Sequence, residues 1–247
     1  MTFDFYKICD ALTPFEEQIG VHRIAPVWGA KMSAQDYFDH MKTRVEAARS
    51  LLLPGELGCT LAHVEAYKRI EQAAKPALIL EDDIHLDAET LSKVKSVIAA
   101  LNAPDFVSFS EYRHIFQKSE ILPNISVAET SDGFWGASAY YISPSMALIL
   151  HARYNTILDK ADNWQEVFMD CSVIPYYSPI FTHDGAASNI HTPGADRSLT
   201  SQNPSLFDAL RLRFTRFKMV KLAGHRHRRN VNAAKARIAK SGGGTPL

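Results

Sequence analysis

The chain has 247 residues, 46% of them hydrophobic, which is enough to bury the core of one large domain or two small ones. Three scattered cysteines, an odd number, favour a reducing compartment over a disulfide framework. The first residues lack the features of a secretory signal, and no apolar stretch approaches the roughly 18 residues that suggest a membrane span. We therefore expect a cytoplasmic protein that does not cross a membrane.

The charges are distributed unevenly along the chain, although 27 Lys and Arg balance 27 Asp and Glu. Eleven of the basic residues and none of the acidic ones follow position 209, so the preceding part carries a net charge of −11. We expect a main domain over 1–204 and a basic, helical tail over 205–247, with order ending at the SGGG run. The segregation favours an anionic partner, either a membrane surface or nucleic acid. The alternative is that the tail packs on the acidic body.

Apolar segments alternate with helical patterns through most of the chain before the tail. We predict strands at 3–8, 21–29, 77–80, 105–112 and 121–127, and a loop that enters a strand over 133–143. We predict helices at 14–19, 33–49, 56–74, 87–101 and 144–153, with Ser33, Asp87 and Ser143 as N-caps. This order favours an α/β sheet with helices on its faces, whose ligands bind at the carboxyl ends of strands.

One stretch combines a buried strand with a cluster of charge. The apolar run 77–80 is followed directly by Glu81, Asp82 and Asp83. If the strand alternation continues, Glu81 and Asp83 share one face and Asp82 lies on the other. Two oxygen donors at positions i and i+2 can hold Mg²⁺ or Mn²⁺. The alternative is a solvated acidic turn at the end of the strand.

The helix predicted over 56–74 carries Cys59, His63 and Tyr67 at intervals of four, so these residues share one face. That face, near the start of the helix, could line a site. The alternative for His63 is a partly buried histidine bonded to a neighbour. Cys59 and His63 could form half of a metal site, but the sequence shows no second Cys/His pair to complete it, so we do not expect a metal site there.

Four blocks occur in the order of a known family: GELGCTLAH at 55–63, LILEDDIHL at 78–86, WGASAYYIS at 135–143 and ADNWQEVF at 161–168. Together they resemble the family 25 glycosyltransferases of lipopolysaccharide and lipooligosaccharide biosynthesis. The chain departs from the family pattern at Ala62, where the family has Ser, and at Trp28, where it has Asp. The resemblance implies a nucleotide-sugar-binding GT-A-like (Rossmann-like) mixed sheet flanked by helices, with 1–204 as the catalytic domain.

The resemblance also implies a chemistry for the acidic strand end. It implies an inverting, metal-dependent transfer of a hexose, with galactose favoured, from a UDP-sugar to a lipid-linked oligosaccharide of the lipopolysaccharide type. Mn²⁺ or Mg²⁺ would neutralise the departing diphosphate. In this interpretation Asp83 leads the metal ligands and Glu81 assists. Asp82, Gly136 and Gly29 would contact the donor.

Inversion needs a general base that takes the proton of the acceptor hydroxyl. Asp162 is the first candidate and Asp184 the reserve, while the alternative for Asp162 is a helix N-cap. His63 is the other candidate catalytic residue, as polar support for the acidic cluster. His183 and His191 could add a metal ligand.

The sequence pattern of the tail predicts where in the cell the protein lies as well as what the tail binds. Leucines and phenylalanines share one stripe of a helix over 205–222, namely Leu206, Phe207, Leu210, Phe214 and Phe217. An amphipathic basic helix of this kind can lie on an anionic membrane, so we expect residues 205–240 to hold the protein at the inner face of the cytoplasmic membrane. Two other functions stay open: an inactive relative that serves as a binding scaffold, and a nucleic-acid-binding protein that acts through the tail. We expect no nucleic acid, because no binding module is recognisable.

Overall fold

The computed structural model describes residues 2–48, 50–111, 117–130, 134–182 and 224–240. Its strands are β1 Asp4–Ile8, β2 His22–Ile24, β3 Ala77–Leu80, β4 Phe106–Ser110, β5 Lys118–Leu122, β6 Ile125–Ala128, β7 Ala139–Ile142 and β8 Tyr176–Phe181. Its helices are α1 Pro14–Gln18, α2 Ala34–Ala48, α3 Pro54–Ala73, α4 Ala88–Leu101, α5 Pro144–Thr156, α6 Trp164–Asp170 and α7 over 224–240.

The three N-caps expected from the sequence are present. The Ser33 hydroxyl accepts a hydrogen bond from the backbone N–H of Asp36, and the Asp87 carboxylate accepts one from that of Thr90. Ser143 caps α5 in the same way, and the next residue is a proline at the first helical position. Local sequence chemistry therefore sets where these helices begin.

The eight strands form one mixed sheet in the order β2-β1-β3-β7-β4-β8-β6-β5. β1 lies parallel to both β2 and β3, whereas β7 is antiparallel to both of its neighbours, β3 and β4. β8 runs parallel to β4 and antiparallel to β6. With helices on both faces, this architecture confirms the predicted α/β mixed sheet.

The alternation of β3 divides the core into two layers. Ala77 and Ile79 pack on one face, in the hydrophobic cluster that contains the buried side of α3. Leu78 and Leu80 pack on the other face, with the apolar side of α4. All four side chains are fully buried, as expected for an apolar run in the middle of a sheet. The next position along this alternation, residue 81, lies on the α3 side.

Two predicted strands are wrong in extent. The single strand expected over 121–127 is a hairpin, β5–β6, because Pro123 and Asn124 form its turn and Asn124 takes a positive φ of 60°. The strand expected over 21–29 ends at Ile24, and Gly29 instead begins a short 3₁₀ turn. β8 was not predicted, since Pro179 interrupts its apolar pattern.

The last described element, α7, packs on the sheet. Ala234 is buried in the same hydrophobic cluster as α4. His227 Nε2 lies 2.9 Å from the hydroxyl of Ser119, and Arg226 Nη1 donates to the carbonyl of Phe168 over 2.6 Å. The amphipathic helix predicted over 205–222 lies outside the described residues. Among the helices the structure describes, none is long and apolar enough to cross a bilayer.

Candidate functional site

The three carboxylates stand at the end of the interior strand β3, but they do not continue it. The N–H of Glu81 donates to the carbonyl of Ser138 over 2.8 Å, and the N–H of Ile84 then donates back to the carbonyl of Glu81 over 3.2 Å. This turn leaves Asp82 and Asp83 exposed and Glu81 half-buried. The strand alternation predicted as far as Asp83 is therefore wrong, because the backbone turns directly after Leu80. We call Asp82 and Asp83 the outer turn.

A buried cation supports the outer turn from below. Lys7 Nζ donates to the carbonyl of Ile84 over 3.0 Å and to Glu16 Oε1 over 2.7 Å. Loss of hydration works against the charge of Glu16, but the bonds from Lys7 and Thr13 outweigh it and lower the pKa of Glu16. Lys7 and Glu16 thus form a compensated pair that ties the turn to β1 and α1.

Glu81 faces inward and contacts His63 on α3. His63 is completely buried, and its Nε2 lies 3.0 Å from Glu81 Oε1. Its Nδ1 lies 2.7 Å from the hydroxyl of Tyr140, which in turn lies 2.9 Å from the hydroxyl of Tyr67. Burial raises the pKa of both tyrosines, so both hydroxyls stay protonated. His63 and Tyr67, on the predicted helix face, therefore belong to a hydrogen-bonded chain that ends at Glu81.

Cys59 completes this inner group. Its thiol donates to Glu81 Oε1 over 3.6 Å, and the ligand atoms of Cys59, His63 and Glu81 all lie within 4.8 Å of one another. Burial, followed by the charge of Glu81, raises the pKa of the Cys59 thiol. We call these three residues the inner cluster. The sequence predicts the shared face of Cys59 and His63 but not the third member, which comes from another element.

Asp162 reaches the site from the loop between α5 and α6. The loop is anchored at Asp159, whose carboxylate accepts from Arg44 over 2.8 Å and from Asn163 over 2.6 Å. The carbonyl of Asp159 also accepts from the Thr60 hydroxyl of α3 over 2.8 Å. These bonds fix the loop against α3, one turn away from His63.

The environment of Asp162 differs from that of a helix cap. Asn163, not Asp162, is the N-cap of α6. Burial raises the pKa of Asp162; Lys160 opposes this shift and the charge of Glu81 adds to it. His63 also interacts electrostatically with this carboxyl. The cap interpretation is therefore wrong, and Asp162 lies within electrostatic reach of the inner cluster.

Two glycines predicted to contact the donor have clear structural roles. A Cβ at Gly29 would lie 1.7 Å from the carbonyl oxygen of Pro54, so only glycine allows the preceding loop to pack on the start of α3. Gly136 has a φ of +103°, which favours glycine, and its carbonyl accepts from the indole N–H of Trp164 over 2.8 Å. Contact of Gly29, Gly136 and Asp82 with a donor stays a prediction. Asp184, His183 and His191 lie outside the described residues.

The sequence analysis missed one member of the site, Tyr140. It lies on β7, and the sheet register pairs it with Ile79 of β3, so it faces α3 as Glu81 does. The available signal was its place in an apolar strand after the WGAS block, but the partner strand cannot be read from that pattern. Only the register of β3 and β7 brings Tyr140 to His63.

A mixed α/β sheet with carboxylates at the carboxyl end of an interior strand fits the Rossmann-like class of glycosyltransferases. A sequence model described as glycosyltransferase family 25 (LPS biosynthesis protein) matches residues 5–164. The chain belongs to this family. The match begins in β1 and therefore extends well before residue 55, where the resemblance in the sequence becomes evident. No curated protein matched the chain.

Membership has direct consequences for the general function. The protein is a glycosyltransferase of lipopolysaccharide biosynthesis, and its substrates are a nucleotide-sugar donor and an oligosaccharide acceptor. The matched segment contains the inner cluster, the outer turn and Asp162, and it ends at Trp164. Every candidate site residue that the structure describes therefore lies within the family region.

Proposed function

We propose that the protein is a metal-dependent, inverting hexosyltransferase that moves galactose from UDP-galactose to a lipid-linked oligosaccharide of lipopolysaccharide. The observation that carries this proposal is the convergence of three elements: α3 brings His63, the end of β3 brings the carboxylates, and the α5–α6 loop brings Asp162. Three details of the proposal rest on the family resemblance: galactose as the sugar, inversion of configuration, and a lipid-linked acceptor.

The residues at the strand end fit a hard divalent cation. Loss of hydration raises the pKa of Asp82, and the neighbouring charges of Asp83 and Glu81 raise it further. Oxygen ligands of this kind suit Mn²⁺ or Mg²⁺. Asp83 would hold the ion, Glu81 would assist, and Asp82 would contact the ribose or sugar. When bound, the ion would neutralise the charge of the departing diphosphate.

Asp162 is the proposed general base. A carboxylate with a raised pKa holds a proton more strongly than an ordinary aspartate does, and so it accepts the acceptor hydroxyl proton more readily. His63 supports this chemistry indirectly, because its bond to Glu81 orients the carboxylate nearest the site. Gly136 and Gly29 would shape the wall on which the donor rests.

We further propose that the tail brings the enzyme to an anionic membrane. Basic residues on the outer side of α7 are exposed, among them Arg228, Arg229, Lys235 and Lys240. Each Lys or Arg near such a surface contributes about 1 kcal/mol of binding free energy. A lipid-linked acceptor would make this docking useful, since it confines the enzyme to the plane of its substrate.

A donor-hydrolysis screen tests the catalytic proposal. The full chain is incubated with UDP-, GDP- and CMP-sugars in the presence of Mn²⁺, Mg²⁺ or a chelator, and release of the nucleotide is measured. We expect UDP-galactose with Mn²⁺ to be turned over fastest and the chelator to stop the reaction. Equal turnover with chelator would contradict metal dependence. A folded protein that binds no sugar nucleotide would favour the alternative of an inactive scaffold.

A further inference from the structure

The inner cluster contains a thiol, that of Cys59, which the proposed reaction does not use. The outer turn offers only carboxylate oxygens, whereas the inner cluster offers one sulfur, one imidazole nitrogen and one carboxylate oxygen. Hard cations such as Mg²⁺ and Mn²⁺ prefer oxygen, and a mixed sulfur and nitrogen set prefers Zn²⁺. Two adjacent groups at one strand end thus differ in the metal that they select.

The distances within the cluster are close to those of a zinc site. Around a tetrahedral zinc ion, sulfur, nitrogen and oxygen ligands lie about 3.4–3.6 Å from one another. Here Cys59 Sγ lies 3.6 Å and His63 Nε2 lies 3.0 Å from Glu81 Oε1. These two distances therefore need to change by no more than a few tenths of an ångström. The third distance, from Cys59 Sγ to His63 Nε2, is within 4.8 Å, so rotation of these side chains would have to close it by up to about 1.2 Å. The spacing of Cys59 and His63, one helical turn apart on α3, keeps both on one face.

The outer contacts of His63 suit a metal ligand. In zinc-binding histidines, the ring nitrogen that does not bind the metal is hydrogen-bonded to a partner that orients the ring. His63 Nδ1 lies 2.7 Å from the hydroxyl of Tyr140, and that hydroxyl has a further partner in Tyr67. Tyr140 can therefore accept from Nδ1–H while it donates to Tyr67, which frees Nε2 for a metal. The bonds of His63 Nε2 and of the Cys59 thiol to Glu81 would be replaced by bonds to the ion, whereas the contacts among Nδ1, Tyr140 and Tyr67 would be kept.

The surrounding charge favours a cation as well. The charged groups that face Cys59 are carboxylates, namely Glu81, Asp162 and Asp82. The neighbouring cation Lys160 is paired with Glu56 over 2.7 Å at the start of α3. A divalent ion bound by the Cys59 thiolate and the Glu81 carboxylate would bring the net charge of these groups to zero. The thiol proton passes to solvent when the ion binds.

We propose that Cys59, His63 and Glu81 form a Zn²⁺ site with three protein ligands and one open position, beside the hard-cation site of the outer turn and sharing Glu81 with it. This site does not depend on the proposed sugar donor or on the identity of the base. It would fix Glu81 to α3 and so define the inner wall of the candidate active site.

Cobalt provides a spectroscopic test on the full chain. Co²⁺ replaces Zn²⁺ in such sites, and a cysteine ligand produces a thiolate-to-cobalt charge-transfer band. We expect this band to saturate at one Co²⁺ per chain, to disappear on addition of Zn²⁺, to be lost in Cys59→Ala and to persist in Cys171→Ala. Cys171 is the matched control because it is also a partly exposed cysteine that forms no disulfide. No band in the unaltered protein, or a band that survives Cys59→Ala, would overturn the proposal.

A second measurement needs no variant of the cluster. Alkylation of each cysteine is followed by peptide mapping, and Zn²⁺ should slow the modification of Cys59 at least tenfold while Cys171 is unaffected. Equal protection of both residues, or of neither, rejects the site. Asp83→Asn separates the two metal proposals, since it should keep the cobalt band and lose Mn²⁺-dependent donor binding. If Asp83→Asn loses donor binding but keeps the cobalt band, the zinc site is supported independently of the donor site.

Discussion

Glu81 of the inner cluster directly precedes the outer turn in the chain, but the carboxylates of the two groups have different surroundings. Glu81 contacts His63 and Cys59 within the fold, and its side chain is 24% exposed. Asp82 and Asp83 come directly after it and are exposed. One turn of backbone thus separates a carboxylate that is bonded within the fold from two that are exposed to solvent. Three adjacent carboxylates can thus be divided between support of the fold and exposure to solvent.

The largest effect is expected at Asp162, which faces the inner cluster. Asp162→Asn removes the proposed base while keeping the shape of the side chain, so turnover should fall by about 10²–10⁴-fold. Donor affinity should stay within a few-fold, because a base acts on the acceptor proton. Steady-state kinetics and calorimetry with UDP separate the two quantities. Turnover within a few-fold of the unaltered enzyme would place the base elsewhere.

The chain of hydroxyls behind His63 should matter for stability. Tyr140→Phe leaves His63 Nδ1 and the Tyr67 hydroxyl without their partner, which should cost about 1–3 kcal/mol of unfolding free energy. Tyr67→Phe is the control, since it removes only the end of the chain and should cost about 1 kcal/mol. Urea denaturation gives both values. Equal losses would mean that the bond to His63 contributes nothing beyond burial.

A smaller effect on stability should accompany the loss of turnover at Asp162. Folding raises the pKa of this carboxyl, so the folded chain holds the proton more strongly than the unfolded chain does. The stability that the protonated form contributes is therefore lost as pH rises through the folded-state pKa. At neutral pH Asp162→Asn should raise the melting temperature, and the gain should shrink in acid. Thermal melts across pH would contradict this if Asp162→Asn melted lower at neutral pH.

The smallest effect is expected far from the site, on α7. The full chain should co-sediment with vesicles that contain phosphatidylglycerol but not with phosphatidylcholine alone, and roughly 0.5–1 M salt should weaken binding. Replacing Arg229 and Lys235 by Gln should weaken it by about 2 kcal/mol. Lys42 and Lys68, also exposed but on helices of the opposite layer, form the control pair. The same loss from both pairs would point to net charge rather than to a docking face.

Much of the fold follows from local patterns in the sequence. The apolar run of β3 and the spacing of Cys59 and His63 were each predicted correctly, because strand burial and helical periodicity are properties of short segments. The hairpin at Pro123 and Asn124 was missed because one continuous apolar run hides a two-residue turn.

The rest of the site depends on contacts between distant segments. Glu81 meets His63 only because β3 lies under α3, and Tyr140 joins them only through the β3–β7 register. The predicted alternation at Asp83 failed because backbone bonds from residues 81 and 84 turn the chain. β8 escaped prediction since Pro179 falls at a register shift in its pairing with β4, where a proline is tolerated.

In the proposed mechanism the outer turn binds the metal and, through it, the donor. Calorimetry of UDP with and without Mn²⁺, on the unaltered chain and on Asp83→Asn, tests it directly. We predict that Mn²⁺ strengthens UDP binding in the unaltered chain and has no effect in Asp83→Asn, because a neutral amide is a poor ligand for a hard cation. Mn²⁺-dependent affinity that is unchanged in a folded Asp83→Asn would contradict the claim.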